Sequence, residues 1–114
     1  MERLYLKWKD FNNNIYTLAT LYKYENYYYL MIDREGITAA KKNGCAGIGT
    51  LDTNEAGYKS KELFGFFKNR ILPKDSESLN KFLNKYNLEE YDEMKLLKAT
   101  KGILGTDRYY LEEE

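Results

Sequence analysis

Few side chains in this 114-residue chain can do chemistry, and the first fact about them is an absence: there is no histidine. That removes the commonest general acid/base and the commonest metal ligand together. The single cysteine, Cys45, would need a base or a positive field to become a nucleophilic thiolate. No histidine supplies the base, and Lys41 and Lys42 read as solvated helix residues, so Cys45 reads as a small buried side chain. The run Gly44-Cys45-Ala46-Gly47-Ile48-Gly49 has the glycine content of a phosphate cradle. Its spacing is G-x-x-G-x-G with no Lys-Ser or Lys-Thr after it, which reads as a turn leading into a short strand. Glu89, Glu90, Asp92 and Glu93 crowd the start of an expected helix, where carboxylates complement the helix dipole. Asp52 and Asp107 lack a neighbouring ligand set for a metal. The expectation is a non-enzyme with no catalytic, cofactor-binding or metal-binding residue, no cofactor and no small-molecule substrate.

What remains is contact chemistry. Twelve tyrosines stand in the chain, each with a large apolar face and a polar tip suited to half-buried sheets and to interfaces. Tyr22, Tyr24, Tyr27 and Tyr29 gather at one expected hairpin end, with Trp8 placed near them, and these four tyrosines are the expected partner-binding residues. Trp8 shares a strand face with Leu4 and Leu6 and itself reads as core. Arg3, Tyr5, Lys7 and Lys9 share the other face of that strand, with Tyr22, Lys23 and Tyr24 close by. Aromatics interleaved with lysines on a sheet hold single-stranded nucleic acid in some proteins. A solvated strand face whose lysines protect a sheet edge has the same pattern. With 18 basic and 18 acidic residues the formal charge is balanced, so direct nucleic-acid binding is not the expectation.

The elements that must position these groups follow from periodicity. Leu4, Leu6 and Trp8 alternate with polar neighbours, which predicts a strand over 3–9. Asp10-Phe11-Asn12-Asn13-Asn14 is turn chemistry. Strands are expected over 15–24 and 27–33, joined at Glu25-Asn26. The last of these carries large apolar groups on both faces, which predicts cover on both sides or a small closed sheet. Arg34–Asn43 suits a short helix, and a polar loop is expected from the glycine run to Lys59. Ser60 reads as the cap of a helix over 61–71 ended by Pro73. Asp75 or Ser76 reads as the cap of a helix over 76–86, with Leu79, Phe82, Leu83 and Tyr86 on one stripe. Asn87 and Glu90 read as a capping box for a helix over 89–101 that exits at Gly102. A last strand is expected over 107–112. The predicted class is α+β: a small antiparallel sheet, made of a three-strand meander plus a C-terminal strand, packed with about three helices, with Phe66, Phe67 and Phe82 in the core.

The length suits one domain spanning 1–114. One cysteine allows no internal disulfide, which fits a reducing cytoplasm. Met1-Glu2-Arg3-Leu4-Tyr5 lacks the basic-then-apolar order of a secretion signal, and no membrane association is expected.

One ordered pattern ties the second half together. Leu63-Phe64-Gly65-Phe66-Phe67 runs on to Leu72-Pro73, then come Leu96-Leu97, Gly102 and the closing Asp107-Arg108-Tyr109-Tyr110-Leu111. From about Ser60 to Leu111 this resembles the N-terminal accessory domain of HipA-type serine/threonine kinases of bacterial toxin–antitoxin systems. The first sixty residues match it in kind, as successive strands. The loop Asp52–Lys59 lacks the Ser- and Pro-rich run that often precedes the aromatic helix in full-length kinases. The resemblance implies an antiparallel sheet with helices packed on it, no catalytic residues, and a role as a detached accessory domain that binds a HipA-like kinase as its antitoxin or regulator. The kinase signatures themselves (a phosphate loop with a lysine, a His-Arg-Asp loop, an Asp-Phe-Gly site) are missing from these residues. Two other readings stand beside it: a phage- or mobile-element-encoded inhibitor of another host protein, and a single-stranded nucleic-acid binding module.

Overall fold

The computed structural model describes residues 2–114. Arg3–Lys9 (β1), Ile15–Tyr24 (β2) and Tyr27–Ile32 (β3) form the expected antiparallel meander. Gly57–Ser60 (β4) adds to the outer side of β3, and Tyr109–Glu113 (β5) adds to the outer side of β1. The result is one five-stranded antiparallel sheet in the order β4-β3-β2-β1-β5, an α+β fold.

The sheet has one apolar face. Leu4, Leu6 and Trp8 of β1 lie opposite Leu21, Ala19 and Tyr16 of β2, and Leu30 and Leu111 extend the same layer outward. The pairing slips by one residue at Leu18, because Leu6 faces Ala19 while Lys7 faces Thr17. This bulge lets two successive residues, Leu18 and Ala19, both be fully buried. Ile37 and Ala40, then Phe67, then Met94 and Leu97 cover the layer from the helices.

The first of these helices, Arg34–Lys42 (α1), starts where Asp33 accepts from the Gly36 N–H at 2.9 Å, with Glu35 in the first turn and lysines in the last. It lies so close to β2 that a Cβ on Gly36 would fall 1.7 Å from the Thr17 carbonyl oxygen. The later helices are shorter than the periodicity predicts. Gly65–Lys68 (α2) is a single turn ending five residues before Pro73, and Leu79–Lys85 (α3) starts after Ser78 with no side-chain cap. Ser60 ends β4 and accepts from Glu62 N–H in a turn; it caps no helix. Glu93–Thr100 (α4) is capped by Asp92, which accepts from Lys95 N–H at 3.1 Å. Asn87, expected in a capping box, takes a left-handed conformation (φ 58°) in the preceding turn. The exit of α4 is left-handed at both Lys101 (φ 58°) and Gly102 (φ 57°).

Three further expectations need correction. The segment read as loop up to Lys59 contains β4. Phe67 is fully buried, but Phe66 and Phe82 are only half-buried: Phe66 packs on the rim of the core, and Phe82 packs against Tyr86 with ring centres 5.0 Å apart and planes tilted by 57°. The glycine run leads into a loop, and the next strand begins only at Gly57. Among the described residues no helix is long and apolar enough to cross a membrane.

Candidate functional site

Cys45, Asp52 and Asp107 each make contacts within the fold. Cys45 is buried, its sulfur 3.6 Å from the Tyr109 hydroxyl, which donates to the Gly47 carbonyl at 2.6 Å. Burial, then the contact with Cys45, raises the Tyr109 phenol above its ordinary value. Asp107 pairs with Arg70, whose side chain is 4% exposed and which also donates to the Gly102 carbonyl at 2.8 Å. The guanidinium lies against the rings of Phe66 and Tyr109, 4.4 and 5.1 Å from their centres. Its Nε has no hydrogen-bond partner among the described residues. Asp52 accepts from Asn54 N–H in a turn. No group of three or more metal-ligating side chains occurs among the described residues.

A cleft of about 620 Å³ runs past Lys23, Tyr28, Lys68, Tyr91 and Glu93. Its two tyrosine hydroxyls are already committed. The Tyr28 hydroxyl donates to Glu93 Oε1 and the Tyr91 hydroxyl to the Leu72 carbonyl, both at 2.9 Å. Burial first and Glu93 second push the Tyr28 phenol upward, so it holds its proton and acts as a fixed donor. The carboxylates expected to cap a helix therefore divide: Asp92 caps α4, and Glu93 ties it to β3.

The other face of the sheet is different. Every described helix with a residue in the main core approaches from the apolar side. On the opposite side Arg3, Tyr5, Lys7 and Lys9 of β1, Thr20, Tyr22 and Tyr24 of β2, Tyr27, Tyr29 and Met31 of β3, and Lys59 of β4 are all half-buried or exposed. Among the described residues no element covers them. The expectation that β3 is covered on both sides fails for a physical reason: its outward groups are mostly tyrosines, which shield one another while keeping their hydroxyls wet.

One row organises this face. Arg3 pairs with Tyr22, Tyr22 with Tyr29, and Tyr29 with Lys59, so a cation, two aromatics and a cation line up across four strands. The two rings stack at 5.0 Å with planes 10° apart. Arg3 Cζ lies 5.7 Å from the Tyr22 ring centre, and Lys59 Nζ lies 5.8 Å from that of Tyr29 and 4.2 Å from that of Tyr27. Tyr24 pairs with Tyr27 beside this row and is 54% exposed, as is Met31 to 44%. A shallow groove of about 450 Å³ runs between Arg3, Thr20, Tyr22, Tyr24 and Met31.

The structure thus brings the four expected partner-binding residues, Tyr22, Tyr24, Tyr27 and Tyr29, onto one surface. It separates two residues expected near them. Trp8 is buried at the far end of β1, opposite Tyr16 and Tyr109, and Lys23 points to the covered side, over the Tyr28 ring at 5.1 Å. Sequence reasoning missed Lys59, because β4 was not legible as a strand; the alternation of Tyr58 with Lys59 was the available signal. No family model matches this chain, and no curated protein and no solved structure matches it.

Proposed function

We propose that this chain is a non-catalytic binding domain that docks on another protein through the uncovered tyrosine face. The observation that supports this reading is the row Arg3–Tyr22–Tyr29–Lys59 on a sheet face over which no described element lies. Tyrosines supply contact area at low entropic cost and are enriched among interface hot spots. The resemblance over Ser60–Leu111 suggests the partner class: a HipA-like serine/threonine kinase, with this chain as its antitoxin or regulator in a bacterial cytoplasm. A host protein bound by a phage- or mobile-element-encoded inhibitor would use the same surface.

The test is co-purification with a HipA-type kinase encoded beside this gene, followed by titration of a Tyr22→Ala/Tyr29→Ala variant. Loss of about 2 kcal/mol of binding, roughly thirtyfold in affinity, is expected with folding retained. Unchanged binding by the folded variant would refute the surface, and a transfer of phosphate abolished by a point change in this chain would refute the non-catalytic reading.

A further inference from the structure

We propose that the occupant of the tyrosine face is an acidic polypeptide segment that presents two carboxylates about 14 Å apart, with apolar side chains between them. This rests on the reading that the face docks a protein, and adds the chemistry of what docks. The spacing comes from the row itself. Arg3 and Lys59 sit on strands three steps apart in the sheet, and each step is about 4.8 Å. An extended segment laid across the strands advances about 3.4 Å per residue, so the carboxylates fall at positions i and i+4, on the same side of the segment.

Three observations select this occupant. The first is charge. Arg3, Lys7, Lys9 and Lys59 all stand on this face, and among the described residues the only carboxylate pairing any of them is Glu114, a loose and exposed contact 3.8 Å from Arg3. Lys7 instead donates to Thr17 Oγ1, and Lys59 rests over tyrosine rings. Within the sheet the acidic residue of the open face, Glu112, lies on the β5 margin opposite Tyr5, away from Lys59. The second is the polarity of the tyrosines. Stacked on each other and flanked by cations, Tyr22 and Tyr29 have their ring faces occupied, which leaves ring edges and hydroxyls to solvent. Ring edges carry the positive part of the aromatic quadrupole, so the surface suits acceptors and aliphatic groups. The third is what those occupied faces disfavour. Single-stranded nucleic acid shares the negative charge but gains its affinity by stacking bases on free aromatic faces, and here the central pair offers none.

The experiment uses the purified full chain and three fluorescent probes. One is an extended peptide with glutamates at i and i+4 around leucines, one is the same composition with the glutamates adjacent, and one is an oligothymidine. The spaced peptide should bind best. Arg3→Glu/Lys59→Glu should weaken it about tenfold at low salt, as expected for two exposed charge contacts, and a peptide with lysines in place of the two glutamates should regain binding to that variant. Both substituted residues are solvent-exposed, and retention of the wild-type melting temperature checks that the variant is folded. If the charge reversal leaves affinity unchanged while Tyr22→Ala/Tyr29→Ala abolishes it, the acidic-segment proposal fails and the docking surface stands. If neither pair matters, both fall. Equal binding by the adjacent-glutamate peptide overturns the spacing, and tighter binding of oligothymidine overturns the polypeptide in favour of nucleic acid.

Discussion

Replacing Asp107 by asparagine should damage this fold more than removing the arginine it serves. Arg70 is 4% exposed at its side chain and Asp107 is 28% exposed. The guanidinium donates to both carboxylate oxygens, at 2.5 and 3.3 Å, and to the Gly102 carbonyl at 2.8 Å. Asp107→Asn keeps the shape but leaves a buried cation with neutral acceptors alone, the asparagine oxygen and the Gly102 carbonyl. Stranding one partner of a buried pair costs about 3–5 kcal/mol, and water reaching the exposed side of Asp107 places this case near the low end. Arg70→Met removes the buried charge, keeps most of the stem that fills the space beside Phe66 and Tyr109, and leaves a carboxylate that can hydrate. Its cost should be about 1–2 kcal/mol, mainly the lost bond to Gly102 and imperfect packing. The double variant should resemble Arg70→Met. Urea unfolding followed by fluorescence of the buried Trp8 measures all three. A loss below about 1 kcal/mol for Asp107→Asn, or a larger loss for Arg70→Met, would show that the pair is hydrated and that its burial does not set its energy.

Three other outcomes are expected. Phe67→Ala should cost about 3–5 kcal/mol in the same unfolding assay, because the ring is completely buried between α2 and the sheet core. Gly36→Ala should lower thermal stability by at least about 3 kcal/mol, since the new methyl would meet backbone and α1 would have to lift from β2. Burial pushes the Asp10 carboxyl upward, but bonds from Asn14 N–H, the Tyr16 hydroxyl, the Asn14 amide and Asn12 N–H outweigh it and hold the carboxyl below its ordinary 3.8. A depressed acid stabilises the fold fully above its unfolded value and loses that contribution as pH falls through the folded one. The protection of the Asn12 and Asn14 amides, taken as exchange relative to an unfolded chain at the same pH, should therefore hold steady above about pH 4 and fall below it, and Asp10→Asn should abolish that fall.

The meander, α1 and the class of the fold were legible because their signals are local: strict alternation in Leu4–Lys9, the spacing of Ile37 and Ala40 on one helix face, and turn residues at Asp10–Asn14. The helices after Leu63 were overdrawn. Their apolar spacing is real, but α2 stops after one turn and Asp92, not Asn87, supplies the cap of α4. Periodicity reports which residues turn inward; it does not report where backbone hydrogen bonding stops. β4 was invisible because four residues give only two repeats of an alternating pattern, and its pairing with β3 is a tertiary event. Of the candidate surface, the four tyrosines were legible from density alone. Their shared face and the two cations that end the row needed the strand register, which the bulge at Leu18 resets within β2.

The position of β5 has a consequence for the order in which the chain can fold during synthesis. β1 is the first strand made and β5 the last, yet they lie side by side, with Leu6 against Leu111 more than a hundred residues later. The meander can close as soon as β3 leaves the ribosome, because its pairings are between neighbours. Its apolar layer then waits, with Leu4, Leu6 and Trp8 on a free edge strand, until α4 and β5 arrive. During that interval the nascent chain offers an open sheet edge bordered by leucines, the kind of surface that recruits a second chain. A stop codon placed after Thr100 should consequently produce insoluble material or chaperone-bound chain, and supplying residues 101–114 as a separate peptide during refolding should recover soluble protein.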